Sequence, residues 1–367
     1  MQRPPPADWR SPVGPRLTSV SGMELAKAQQ LWRPEPGWLD TASYGLPPEP
    51  AWTALQEALA DWRVGRVSWR GWGESTQRAR VAFADLVGAP AEDVTTGATV
   101  SQMLAPIAAA LPAGATVLVP EQEFTSNLFP WLVQAERGVR VRTVDAGRLA
   151  EEIDADTYLV AFSLVQSADG SVADLDRIVA AARAYDAWVV VDATQACGWL
   201  PFDATRADAV VVGGYKWLMA PRGVGFGYLA PELRERLRPD AAGWFAGPDP
   251  HDSYYGPPLR LADDARRFDI SPAWFSLVGA APALELLAEV GIPAVREHNV
   301  ALANRFRAGL GRPAGDSAIV TVDVPGAEQR LARAGVRAAV RAGRVRASFH
   351  LYSTPDDVDL ALTALLD

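Results

Sequence analysis

Cysteine, lysine and long apolar runs are what this sequence is short of, and each shortage closes off a class of protein. A single cysteine, Cys197, is present. Neither an internal disulfide framework nor a Cys-rich zinc site can form from it, and no metal is expected. Positive charge is in deficit, with 35 Lys and Arg against 44 Asp and Glu and a formal net charge of −9. That balance, without any local basic block, gives no field to attract nucleic acid or an anionic membrane surface. No stretch of roughly 18 apolar residues occurs, which argues against a transmembrane helix. The N-terminal segment carries three consecutive prolines at 4–6 and no apolar run, so it does not read as a secretory signal. The expectation is a cytoplasmic protein with no nucleic-acid or membrane partner.

What is present is ordinary globular material, 49% hydrophobic and 22% charged over 367 residues, which suits about two domains and no wholesale disorder. Residues 1–22 are rich in Pro and Arg and read as a flexible arm, with Met23 as a candidate natural start. Residues 23–250 read as a large domain. From 51 to 112 the pattern is helical, interrupted by RVGRVSWRGWGES. Strands are expected at 116–119, 139–144, 157–162, 187–191, 209–212 and 225–229. Between the third and fourth, Leu175, Ile178, Val179 and Ala182 form the stripe of an amphipathic helix. Strands apolar throughout and separated by helices point to a mainly parallel sheet covered on both faces. The Pro/Gly/Asp-rich GPDPHDSYYGPP then leads into a smaller α+β domain over 251–367.

The scarcity of lysine carries the chemistry. Only Lys27 and Lys216 occur among the 35 basic residues. Where arginine does the work of surface charge, a lysine in the apolar stretch ADAVVVGGYKWLMAPRGVGFGYL suggests a job arginine cannot do. Arginine stays protonated, whereas lysine can lose its proton and attack a carbonyl. A lysine snorkelling at a strand end is the plainer alternative.

Asp192 follows the apolar VVV of the fourth strand, where a carboxylate is poorly hydrated and needs a partner. By itself it reads better as a cap or turn residue. Ligands on open parallel sheets sit beyond the C-terminal strand ends, and Lys216 lies just past the neighbouring strand. A third site, TTGATVSQML, has Gly97, Ala98 and Thr99 opening a helix whose free N–H groups favour a phosphate. An acid, an amine that must deprotonate and a phosphate-ready helix start fit pyridoxal 5′-phosphate (PLP). Asp192 would keep the pyridine nitrogen protonated, and Lys216 would form the Schiff base and shuttle the substrate Cα proton.

The segments LDTASYGLPP, VDATQACGWLPFD and GGYKWLMAPRGVGF resemble the class V aminotransferase group of fold-type I PLP enzymes. That group includes cysteine desulfurases, kynureninase and isopenicillin N epimerase-like proteins. The resemblance runs from 39 to about 366 and implies an α/β fold: a mainly parallel seven-stranded sheet in the large domain and a smaller α+β C-terminal domain. It implies Gln195 at the cofactor phenolic oxygen, Ala98, Thr99 and Tyr215 at the phosphate, and Phe124 stacked on the pyridine face. Ser271 would reach the phosphate of a neighbouring subunit in a homodimer with shared sites. Arg346, rather than the nearby Arg341 or Arg344, would clamp the carboxylate of an amino acid substrate, with Tyr44, Arg222 and Trp274 as pocket candidates.

The sequence departs from the family pattern in three places. No cysteine lies near the C-terminal domain to act as a desulfurase nucleophile. Leu164 stands where an asparagine is expected, with Gln166 as a substitute, and Gly213 replaces a phosphate-binding serine. The resulting expectation is an aminotransferase. C–S lyase (β-elimination) or epimerase activity are the alternatives within the family, and a non-catalytic PLP-fold binding protein is the alternative outside it.

Overall fold

Seven strands of the structure, a computed structural model that describes residues 23–366, form one sheet. The expected arm at 1–22 lies outside the described residues. The strands are β1 (Val94–Gly97), β2 (Thr116–Pro120), β3 (Arg140–Val144), β4 (Thr157–Ser163), β5 (Trp188–Asp192), β6 (Ala209–Gly213) and β7 (Gly225–Leu229). Their spatial order is β1-β7-β6-β5-β4-β2-β3. The run from β3 to β6 is parallel, and β7 is antiparallel to both its neighbours.

Alternate side chains of a strand go to opposite faces, and here each face meets its own core. Val189 and Val191 pack with Phe83, Phe226 and Leu284 on one side. Trp188 and Val190 pack with Leu104, Ile107 and Trp131 on the other. Burial on both faces is why these strands are unbroken apolar runs in the sequence. The helix Leu175–Ala184 starts where the Asp174 side chain accepts from the N–H of Arg177, and it buries Ile178, Val179 and Ala182 of the expected stripe.

Strand β1 corrects the expectation of a helical pattern over 51–112 broken only by RVGRVSWRGWGES, whose second half is itself in the helix Trp69–Val87. Gly97 ends this strand rather than opening a helix, and the helix begins at Val100. A four-residue VTTG edge strand between two helices is too short to show a period of two.

A second, antiparallel sheet has β8 (Ile319–Val322), β9 (Ala339–Arg341) and β10 (Arg344–Ser348) in the order β8-β10-β9. Its core holds Phe306, Val320, Val345 and Phe349, and also Leu39 from the other end of the chain. The helix Trp274–Val290 packs instead against Glu49–Arg63 and Trp69–Val87, and its buried face joins the main-sheet core. Among the described residues, no single helix is long and apolar enough to cross a membrane.

The segment around Leu39 ties the two sheets together beside Lys216. The N–H of Leu39 donates to the carbonyl of Arg337 and that of Ser348 to the carbonyl of Leu39. Six residues on, the N–H of Gly45 donates to the carbonyl of Tyr215 at 3.0 Å. A Cβ at position 45 would collide with the carbonyl oxygen of Lys216, so only glycine permits this approach.

Candidate active site

The parallel strands β4, β5 and β6 all end on one side of the sheet, and there the chain leaves a cavity of about 210 Å³. Ala98, Thr99, Phe124, Asp192, Gln195, Tyr215, Lys216 and Arg222 line it, so the structure brings together residues from five separate stretches of sequence. Asp192 is the last residue of β5. Lys216 follows β6 by three positions and is 6% exposed.

The charges of the cavity are under-compensated. Burial pushes the Lys216 amine down to about 8, with Asp192 opposing the shift and Arg346, Arg341 and Arg222 adding to it. Burial likewise lifts the Asp192 carboxyl above the usual carboxylate range, offset in part by Thr194 and Lys216. The N–H of Thr194 donates to Asp192 Oδ1 at 2.9 Å. Nζ of Lys216 lies 5.3 Å from the centroid of the Phe124 ring and 5.7 Å from that of Tyr215. Arg222 stacks its guanidinium 4.6 Å from the Tyr215 ring centroid.

One end of the cavity is a helix N-terminus. Thr99 caps Val100–Ala109, its hydroxyl accepting from the N–H of Gln102 at 3.2 Å. Gln102 reaches back to take the N–H of Ala98 at 3.0 Å, a variant of the reciprocal capping box. Val100 and Ser101 complete the cavity wall here, in the first turn, where helical N–H groups have no intrahelical acceptor. A Cβ on Gly213 would meet only ordinary van der Waals contacts, with Tyr215 at 3.4 Å and Thr194 at 3.5 Å.

Several expected residues stand elsewhere. Arg346 is wholly buried behind the cavity wall, its Nη1 donating to both the carbonyl and the hydroxyl of Ser167 and its Nη2 to Ser43 Oγ at 3.0 Å. Burial and the neighbouring Arg341 push the Arg346 guanidinium down to about 10. Tyr44 is 42% exposed and packs its ring on Tyr215 rather than lining the cavity. Trp274 sits in an aromatic cluster with Trp69, Trp72, Trp244 and Phe245, away from the cavity wall. Ser271 is exposed in the loop before that helix. Gln166 turns away too: it lines a neighbouring cavity beside Pro120 and Ile178, and Leu164 is core. Cys197 is buried, and burial raises its thiol far above the usual range, so it is no nucleophile.

Sequence reasoning missed the small hydroxyls. Ser101, Ser126, Ser163, Ser167 and Thr194 all line the cavity. It also missed Glu123, a buried carboxylate that accepts from the N–H of Phe124 and from both the N–H and hydroxyl of Ser163.

A buried carboxylate, a buried amine pushed toward neutrality and a helix N-terminus around one cavity suit PLP. They define the chain as a PLP-dependent enzyme of fold type I. It belongs to the class V aminotransferase family, whose family model, Aminotransferase class-V, matches residues 39–322. The chain is 30% identical over 260 residues to an uncharacterized aminotransferase, YcbU, of Bacillus subtilis, covering 68% of this chain and 69% of that one. It is 29% identical to the isopenicillin N epimerase of Streptomyces clavuligerus over 84% of this chain and 82% of that one. Among solved structures it resembles a cysteine desulfurase from Thermococcus onnurineus, with a TM-score of 0.77 at 22% identity, covering 89% of this chain and 93% of that one.

Proposed function

We propose that the protein takes the Cα proton of an amino acid with Lys216 and cleaves a C–S bond by β-elimination. The observation that carries this reading is the Lys216 amine, buried and held at about 8, facing a phenylalanine. Phe124 carries no proton, so the side chain facing Lys216 adds no second acid or base. When bound, PLP supplies an aldehyde for Lys216 and an electron-poor ring that accepts the electron pair left at Cα. Asp192 holds a proton on the pyridine nitrogen, and the arriving cation in turn favours the charged carboxylate. The first turn at Thr99, Val100 and Ser101 holds the phosphate, with Tyr215 and Arg222 beside it. Arg346, held by Ser167 and Ser43, supplies the cation for the substrate carboxylate. Ser271, exposed on its own subunit, serves the site of a second copy in a homodimer.

A one-base cavity suits loss of sulfur. A thiolate leaves without an acid because its conjugate acid has a pKa of about 8.5. Epimerisation needs a proton returned to the opposite face, where Phe124 has none to give. A persulfide-forming desulfurase needs a reactive cysteine, and Cys197 is sealed in the core. Amino transfer is the second reading, favoured by the aminotransferase name of the Bacillus subtilis relative.

The deciding experiment mixes the purified enzyme with cystine, cysteine and a panel of other amino acids, with and without a 2-oxo acid, and identifies products by mass. Pyruvate and ammonia in equal amounts are expected. An amino group recovered on the 2-oxo acid without free ammonia establishes transfer instead. Full turnover by Lys216→Met sinks both readings.

A further inference from the structure

Lys216 sits in a turn whose backbone carbonyls are held from three directions. The carbonyl of Tyr215 accepts from the N–H of Gly45, and that of Lys216 from the N–H of Met219 at 3.1 Å. Met219 has a φ of +55°, in the left-handed region that a side chain occupies only where its surroundings impose it. The carbonyl of Trp217 accepts from His350 Nε2 at 3.0 Å. Of these three ties the last is the one made by a side chain, and it comes from the second sheet, since His350 lies two positions past β10.

His350 is wholly buried, and burial drives its imidazole down to about 3. It is therefore neutral, with one N–H and one lone pair. The Trp217 carbonyl can only accept, which puts the hydrogen on Nε2. Nδ1 is left to accept, and Asn299 Nδ2 donates to it at 3.3 Å. The ring meets Trp217 and Tyr352 edge-on, and the N–H of His350 donates to Ser353 Oγ at 3.0 Å. Position, tautomer and direction of the donor are thus all fixed. We propose that His350 is the positioning residue of Lys216, its Nε2–H fastening the lysine's turn to the strand end that carries Arg346. The amine and the guanidinium assigned to the substrate carboxylate are then set by one short stretch of chain. Neither His350 nor Asn299 lines the cavity, so His350 acts through the backbone and not by touching the cofactor.

This rests on the assignment of Lys216 as the cofactor's attachment point, and the test separates the two. Pyridoxal 5′-phosphate is added at rising concentration to the cofactor-free wild type, His350→Met, His350→Gln and Asn299→Leu, and the visible band of the attached cofactor is followed in time. The plateau rate reports how well the amine reaches the aldehyde, and the half-saturating concentration reports the hold on the phosphate. His350→Met fills the space without a donor. It should lower the plateau rate roughly 10- to 100-fold, the cost of a misplacement of about 1 Å, and leave half-saturation within about twofold of wild type. His350→Gln, whose amide N–H can replace the donor, should recover most of the rate. Asn299→Leu leaves Nδ1 without its donor and should fall between. A wild-type plateau rate in folded His350→Met, or a His350→Gln no faster than it, overturns the proposal. So does a change confined to the unfolding temperature, the mark of a merely structural residue. If His350→Met does not fold, a wild-type plateau rate in Asn299→Leu overturns it. If Lys216 does not carry the cofactor, Lys216→Met forms the band at the wild-type rate.

Discussion

Two buried aspartates, one at the end of a central strand and one in a loop against the sheet edge, are treated in opposite ways. Asp269, beside the edge strand β1, accepts from Arg80 Nη1 and Nη2, from Thr95 Oγ1 at 3.0 Å and from the N–H of Thr96 at 2.8 Å. Its closest approach to Arg80 is 2.5 Å, with both side chains almost wholly buried. Asp192, in the middle of the sheet, has Thr194 for its hydrogen bonds, and among the described residues no ion pair holds it. A saturated buried pair is a piece of architecture: it ties the loop that carries Ser271 to the strand that leads into the turn at Ala98 and Thr99. A buried charge left short of partners costs stability in the empty protein and marks where a ligand supplies the missing charge.

That contrast breaks in measurable ways. The largest effect is expected at the saturated site. Asp269→Ala strands the Arg80 guanidinium in the interior, and the loss should be about 3–5 kcal/mol, read from denaturant unfolding of the cofactor-free protein. A loss under about 1 kcal/mol would put the pair among those of little net worth. At the open site the order reverses. Asp192→Asn should leave unfolding of the cofactor-free protein within about 1 kcal/mol of wild type yet slow turnover roughly 100-fold, about 2.7 kcal/mol of barrier. Unchanged turnover would give the pyridine proton to another group.

Lys216 sharpens the comparison through pH. Its folded-state pKa, about 8, lies below the ordinary 10.5, so between those values the unfolded chain binds more protons than the folded one. Stability of the cofactor-free protein therefore gains from this residue as pH rises through that window, and the penalty is fully present below about 8. Lys216→Met should then be the more stable protein at pH 7, by up to about 3 kcal/mol, with the advantage shrinking toward pH 10.5. An advantage that does not change with pH would mean that packing, rather than the buried charge, sets it.

Much of this was legible in the order of residues. The strands β2, β4, β5 and β6 announced themselves because two-sided burial demands nearly continuous apolar residues, a signal that survives without coordinates. Lys216 stood out because this chain otherwise writes its positive charge as arginine. Strand β1 was hidden by its length and by the helices that flank it. Ser167 and its neighbours were hidden because a serine past a strand end has no composition of its own. Trp274, expected in the substrate pocket, does not line the cavity, since four aromatic side chains from other stretches of the chain converge around it instead.

The sequence by itself determined the family, the sheet and the pair Lys216 and Asp192, because hydrophobic burial and scarce chemistry are properties of residue type and local order. Tertiary structure alone decided what holds that lysine in place. A hydrogen bond has a fixed valence and a direction, and the tie between His350 and the Trp217 carbonyl, steadied by Asn299, joins residues far apart in the chain that only folding brings within reach of one another.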